Sequence, residues 1–240
     1  MLDVEIAVAK TKKYAVQESG DSVEVVERPR GGLSIVMADG QRSGHSAKTI
    51  SNMAVRKALS LLADGVRDGA AMRAAHDYLR TQRRGQVSAE LTIISVDLET
   101  RTLVISRNSQ CPVLLAEGGV WRVLDEPTER VGLRNRTRPV IAELPLAAGQ
   151  TAVAFTDGLL HAGARRGLSL DPLQAIQTRP DWAQWSASQM ADYLLENAVI
   201  LDERRLGDDA SVIVVRVVGR PDQQDLDIRR MTVNFPAPPV

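Results

Sequence analysis

Leu33-Ser34-Ile35-Val36-Met37-Ala38-Asp39-Gly40 is an apolar run of strand length that ends on an acid and a glycine. Upstream, Ser22-Val23-Glu24-Val25-Val26-Glu27 alternates polar and apolar residues, and the turn-forming Arg28-Pro29-Arg30-Gly31-Gly32 lies between the two. The pair reads as a β-hairpin. Its second strand delivers Asp39 to the end of a buried segment, where an ionised carboxylate is costly unless a positive charge meets it. The pattern recurs. Asp157-Gly158 follows Val153-Ala154-Phe155-Thr156, Asp208-Asp209 precedes the apolar run 211–218, and Asp21 stands just ahead of the first hairpin strand.

Around these acids the chain reads as blocks of strands and helices. Residues 3–9 are apolar-rich and strand-like. Ala47, Ile50, Ala54, Ala58, Leu61 and Leu62 recur at three- and four-residue spacing, which predicts a helix over 44–67, and a second helix is predicted over 69–83. Short strands follow at 90–97, 102–107, 112–116, 120–124, 139–144 and 151–156, then a helix at 186–203 and a last buried strand over 210–218. Sequential strands joined by short turns imply antiparallel sheets with helices segregated to their faces, an α+β class. Residues 1–218 are assigned to the globular part. Residues 219–240, with Arg220-Pro221-Asp222 and Pro236-Ala237-Pro238-Pro239, read as a tail or arm.

Composition narrows the function classes. At 44% hydrophobic and 25% charged, the 240 residues hold material for one ordinary core. The 30 basic residues balance 30 acidic ones, which argues against a nucleic-acid partner, since such proteins carry a basic excess. The single Cys111 cannot form a disulfide within the chain. No stretch approaches the roughly 18 apolar residues of a membrane span, and early acids at Asp3 and Glu5 leave no basic segment of a signal peptide. The expectation is a cytoplasmic protein with no membrane partner. His45, His76 and His161 have no ligand spacing with one another or with Cys111, so zinc is not expected. There is no Gly-x-Ser-x-Gly element and no P-loop lysine motif.

Several converging carboxylates repel and raise one another's pKa unless a cation sits among them. Hard ions such as Mg²⁺ or Mn²⁺ choose oxygen ligands. Two of them, about 4 Å apart, can share a carboxylate, generate a hydroxide near neutral pH and neutralise phosphoryl oxygens. Glycine after Asp39 and after Asp157 lets the backbone turn tightly and come close to such a site, and leaves the Gly40 carbonyl free to act as a ligand.

These residues carry a resemblance. The stretch from Met37 to Ala47 resembles the Asp-Gly-x-Gly-x-Gly element of the metal-dependent protein phosphatases, in their SpoIIE-like bacterial branch. Phe155-Thr156-Asp157-Gly158-Leu159 resembles that branch's Phe-Thr-Asp-Gly-Val element, and Gly207-Asp208-Asp209-Ala210-Ser211 its closing Asp-Asp-x-Thr run. Gly20-Asp21-Ser22 and Val131-Gly132-Leu133 resemble its early Gly-Asp and its Leu-Gly step. The resemblance implies a four-layer α-β-β-α sandwich of two antiparallel sheets flanked by helices. It implies two Mn²⁺ or Mg²⁺ ions with Asp39 bridging them, Asp21 and the Gly40 carbonyl on one, and Asp157 and Asp208 on the other. Asp209 would stand behind these ligands, orienting a water or Asp208. The implied reaction is attack of a metal-bridging hydroxide on phosphoserine or phosphothreonine, with no phosphoenzyme. The implied substrate is a phosphorylated regulatory protein, such as an anti-sigma-factor antagonist.

One position departs from the pattern. Arg42 replaces the second glycine, and its planar fork suits a phosphate contact. It also motivates the alternative of a non-catalytic binding module that keeps the fold, while a hydrolase of small phosphoesters is a third reading. The run Arg130, Arg134, Arg136 and Arg138 reads as solvated surface, with attraction of a phosphorylated partner as its other reading. Cys111 reads as packing rather than nucleophile, and His76 as a surface or packing residue.

Overall fold

The computed structural model describes residues 2–219, 229–234 and 236. In chain order these form β1 (Leu2–Thr11), β2 (Asp21–Glu27), β3 (Gly32–Gly40), α1 (Gly44–Ala63), α2 (Asp68–Gln82), β4 (Ala89–Asp97), β5 (Thr102–Asn108), β6 (Val113–Glu117), β7 (Val120–Leu124), β8 (Val140–Pro145), β9 (Thr151–Phe155), α3 (Asp157–Leu160), α4 (Pro172–Gln177), α5 (Ala187–Leu201) and β10 (Ala210–Gly219). They build two antiparallel sheets, ordered β2-β3-β4-β5-β8 and β1-β10-β9-β6-β7. The hairpin expected around Pro29 is β2–β3, in a register that sets Asp21 opposite Asp39.

The two-residue period of each strand sorts side chains into layers. From β3, Val36 and Ala38 pack with Ile50, Ala54, Ala58 and Leu62 of α1 and Leu79 of α2. The alternate residues Ile35 and Met37 face the other sheet and meet Ile94, Leu115 and Ile213. On the far side of that second sheet, Leu114, Val153, Val212 and Val214 pack against Met190, Leu194 and Ala198 of α5. Helices, sheet, sheet and helix therefore stack as the expected four-layer α-β-β-α sandwich, with the two sheets enclosing the middle core.

Some local expectations change. The first helix ends at Ala63 rather than 67, because Gly65 takes a left-handed backbone (φ 81°) and turns the chain into α2. α3 and α4 span four and six residues, too short for an apolar period to register. β1 pairs along its whole length with β10, from Leu2 opposite Gly219 to Thr11 opposite Ala210. Most of the tail assigned to 219–240 lies outside the described residues. Within it, Arg229 makes an ion pair with Glu27 at 2.9 Å, and Met231 and Val233 are exposed. Among the described residues no helix is long and apolar enough to cross a membrane.

Candidate functional site

The alternation that points Ile35 and Met37 into the inter-sheet core points Asp39 the same way, two residues further along. There the core ends. Asp39 stands opposite Asp21 on β2 and opposite Glu90 on β4, so three carboxylates form a row across three strands. Gln41 donates its amide to the Ser88 carbonyl, and Ala89 exchanges both backbone bonds with Val131. Asp39 and Glu90 are thus a hydrogen-bonded pair, whereas Gly40 faces Ala89 without bonding to it. On the other side the Gly20 amide is taken up by Asp209. Neither neighbour offers a donor to the Gly40 carbonyl.

The opposite sheet supplies the rest. Asp157 opens α3 directly after β9, and Asp208-Asp209 lead into β10. Asp21 ties the sheets together: its Oδ2 accepts from Thr156 Oγ1 at 3.0 Å and from Ser211 Oγ at 2.7 Å. Its backbone carbonyl accepts from the Lys10 and Lys48 ammonium groups at 2.9 and 2.6 Å. Asp209 is buried and accepts from the amides of Lys13 and Gly20, both at 2.8 Å. It fastens the 13–20 segment that carries Asp21, whereas the expected link to Asp208 is a bond from the Asp209 amide to Asp208 Oδ1.

The glycines act through close approach. A Cβ on Gly40 would lie 2.0 Å from the Ala47 carbonyl oxygen, and one on Gly158 would lie 2.1 Å from that of Asp209. Neither has a positive φ, so what each glycine supplies is room for this close approach rather than a left-handed backbone. Arg42, at φ 80°, and Gly44, at φ 64°, are the left-handed residues of the loop, and Arg42 is exposed and without a hydrogen bond or ion pair to any described residue. A glycine would adopt that backbone freely, whereas a side chain there is strained.

Glu90 went unsingled in the sequence because it heads its strand instead of ending it, although it obeys the rule that flagged Asp39. It is buried, and three hydrogen-bond donors and an ion pair hold it. Oε2 accepts from Ser109 Oγ at 2.6 Å and the Gln110 amide at 3.2 Å; Oε1 accepts from Arg130 Nε at 3.0 Å and is ion-paired with Nη2 at 2.8 Å. Arg130 therefore leaves the solvated run to which the sequence assigned it, drawn in by a buried charge. Arg134, Arg136 and Arg138 stay exposed.

Crowding sets the electrostatics. Burial, then Asp21, Asp157, Glu90 and Asp208, push the Asp39 carboxyl up to about 9. Asp21 rises to about 7 through burial, against the two hydroxyls that favour its ionised form. Burial and Asp208 raise Asp157, with His161 and Arg130 pulling the other way. Burial pushes the Cys111 thiol far up, in keeping with packing. His76 is buried too, its Nδ1 accepting from the Gly132 amide at 3.1 Å and its Nε2 lying 3.0 Å from the Arg134 carbonyl.

No three His, Cys, Asp or Glu side chains among the described residues are disposed to grip one ion as they stand. The chemistry of the set nonetheless fits hard cations: all donors are oxygens, and the Asp39 carboxylate has no hydrogen-bond donor among the described residues. A small cavity lined by Asp39, Glu90, Thr92, Ser109 and Thr156 opens among them. Asp21, Asp39, the Gly40 carbonyl, Asp157 and Asp208 are the groups that could hold such ions.

Known proteins share this arrangement of the chain. Stage II sporulation protein E of Bacillus subtilis (strain 168) is 20% identical over 229 residues, 88% of this chain but 27% of that protein. The solved PP2C phosphatase domain of that protein, with a fragment of its regulatory domain, matches at TM-score 0.78 and 18% identity over 92% of this chain and 65% of the other. The catalytic domain of the serine/threonine phosphatase PstP, solved with two manganese ions, gives 0.66 at 19% identity over 91% of this chain and 100% of its own. RsbX in complex with magnesium gives 0.67 at 15% identity over 90% and 100%. At such identities the structures speak for the fold alone. The family model described as Stage II sporulation protein E (SpoIIE) matches residues 29–218, most of the chain. The chain accordingly belongs to the SpoIIE family, with the fold of the PP2C-type phosphatases.

Proposed function

We propose that this protein is a metal-dependent phosphoprotein phosphatase that hydrolyses phosphoserine or phosphothreonine on a regulatory partner in the cytoplasm. The observation that carries the reading is Asp39, a carboxylate without a donor among the described residues and crowded by four other acids where the inter-sheet core opens. Two ions, Mn²⁺ as held by PstP or Mg²⁺ as held by RsbX, would be taken up by Asp39 together with Asp21, the Gly40 carbonyl, Asp157 and Asp208. When bound they would supply an activated water and offset phosphoryl charge.

The chain's own residues do the remaining work. Thr156 and Ser211 orient the Asp21 carboxylate, Asp209 holds the segment before it, and the Gly40–Ala47 and Gly158–Asp209 contacts keep both acidic loops in place. Arg42 would meet the substrate from the solvent side. An anti-sigma-factor antagonist is the kind of partner that fits the family. In this reading residues 1–218 are the phosphatase unit and 219–240 an appendage.

The test is hydrolysis of para-nitrophenyl phosphate with Mn²⁺, Mg²⁺ or EDTA, comparing wild type with Asp39→Asn. Turnover should require metal and vanish in the variant. A folded wild type inactive with every metal would favour the second reading, a non-catalytic binding module. That reading draws on the lack of a ready-made three-ligand grip and on the strained Arg42.

A further inference from the structure

We propose that Arg130 grips the phosphoryl group of the substrate and that Glu90 is its positioning residue; this rests on the phosphatase reading above. Glu90 is buried beside Asp39, and its two oxygens already accept three hydrogen bonds, one of them from Arg130 Nε, with the Arg130 Nη2 ion pair beside it. A carboxylate so saturated serves as a fixed anchor for a guanidinium better than as a further ligand for a cation. Arg130 engages it through an Nε hydrogen bond and an Nη2 ion pair, which leaves Nη1 without a hydrogen bond to any described residue. Its side chain is 34% exposed, so it reaches both the buried anchor and the solvent-facing rim of the acids.

The backbone beneath it is fixed as well. Val131 exchanges both backbone hydrogen bonds with Ala89, at 3.1 and 2.9 Å, and the Gly132 amide is held by His76. A guanidinium immobilised on both sides loses little freedom when it takes a ligand. The acids around it repel a phosphate dianion, and Arg130 is near enough to weigh on the charge of Asp157. A planar fork with a remaining N–H edge offers directed, charge-assisted bonds to phosphoryl oxygens. Arg42 lacks every one of these supports.

The test is calorimetric titration of inorganic phosphate into the manganese-loaded protein, with manganese titrated separately into phosphate-free protein. Arg130→Ala should weaken phosphate binding by about 10- to 100-fold, the range for a lost hydrogen bond to a charged group. Arg130→Lys should recover part of it, and the exposed Arg56→Ala, on α1, should match wild type. Manganese affinity should stay within about threefold throughout. Because Arg130→Ala strands the buried Glu90 charge, the double variant Glu90→Gln/Arg130→Met repeats the measurement with both charges gone. Wild-type phosphate affinity in that variant overturns the proposal, as does a parallel loss of manganese affinity in Arg130→Lys. A wild type that binds no manganese sinks the phosphatase reading and this inference together. Normal manganese and phosphate binding with indifferent Arg130 variants sinks this inference alone.

Discussion

Replacing Asp39 with Asn should stabilise the metal-free protein. The Asp39 carboxyl is held at about 9 against an ordinary value of 3.8. Between those values the fold keeps a proton that the unfolded chain has released, so stability falls as pH rises through the window. At about 1.4 kcal/mol for each pH interval, the penalty accumulated from 3.8 to pH 7 is about 4 kcal/mol. Side-chain movement and water entry reduce it, and about 1–3 kcal/mol is the expected gain from Asn, which keeps the shape without the proton. For a chain of this size that is about 2–4 °C in Tm for each kcal/mol. The assay is thermal unfolding followed by circular dichroism at pH 4, 5.5 and 7, in EDTA and in Mn²⁺. The variant's advantage in EDTA should be largest at pH 7 and disappear near pH 4. Mn²⁺ should raise the wild-type Tm and leave that of the variant unmoved, since only the form that binds is stabilised. A variant no more stable than wild type in EDTA at pH 7 would refute the view that acid crowding destabilises the empty site.

Three further expectations follow from the surrounding contacts. Gly40→Ala drives a methyl into the Ala47 carbonyl and should cost about 1–3 kcal/mol in chemical unfolding, with weaker Mn²⁺ binding; a neutral substitution would contradict the packing. Asp209→Ala frees the Lys13 and Gly20 amides, so about 2–3 kcal/mol of stability should be lost and the Mn²⁺ requirement for turnover should rise, although no metal ligand is removed. Burial lowers the His76 pKa below 6.5, and its Nδ1 must stay unprotonated to accept from Gly132. The unfolded chain therefore takes up a proton first, and this contribution to stability is lost as pH falls from 6.5 through the folded value. His76→Gln should lack it in urea titrations between pH 5 and 7, and an unchanged pH profile would remove His76 from the account.

The legible parts of the sequence were those in which one local signal sufficed. Apolar runs gave the strands, and an acid at a run's end gave Asp39 and Asp157, because a strand's period fixes which face its last residue takes. The hairpin followed from turn residues between two strand-like segments, whereas its register, with Asp21 opposite Asp39, came only with the structure. What stayed hidden depends on residues far apart in the chain. Arg130 reads as surface until Glu90, 40 positions earlier, is known to be buried beside it. Asp209 was placed behind the ligands, but its hold on Gly20 joins residues 189 apart. His76, on the face of α2 that packs inward, is explained only by the Val131–Gly132 segment docking there. The short α3 and α4 offered no period to read.

The pairing of β1 with β10 has a consequence for the order of events at the ribosome. β1 emerges ahead of every other strand described, and its only strand partner among the described residues is made some two hundred residues later. Asp209, which secures Gly20 and so Asp21, arrives with the same late segment. The nascent chain can build β3, α1 and α2 early, since their contacts are close in sequence, but it cannot assemble the acidic site until β10 has left the exit tunnel. Long-range closure of this kind slows folding, and here it also withholds the complete site from every partly synthesised chain.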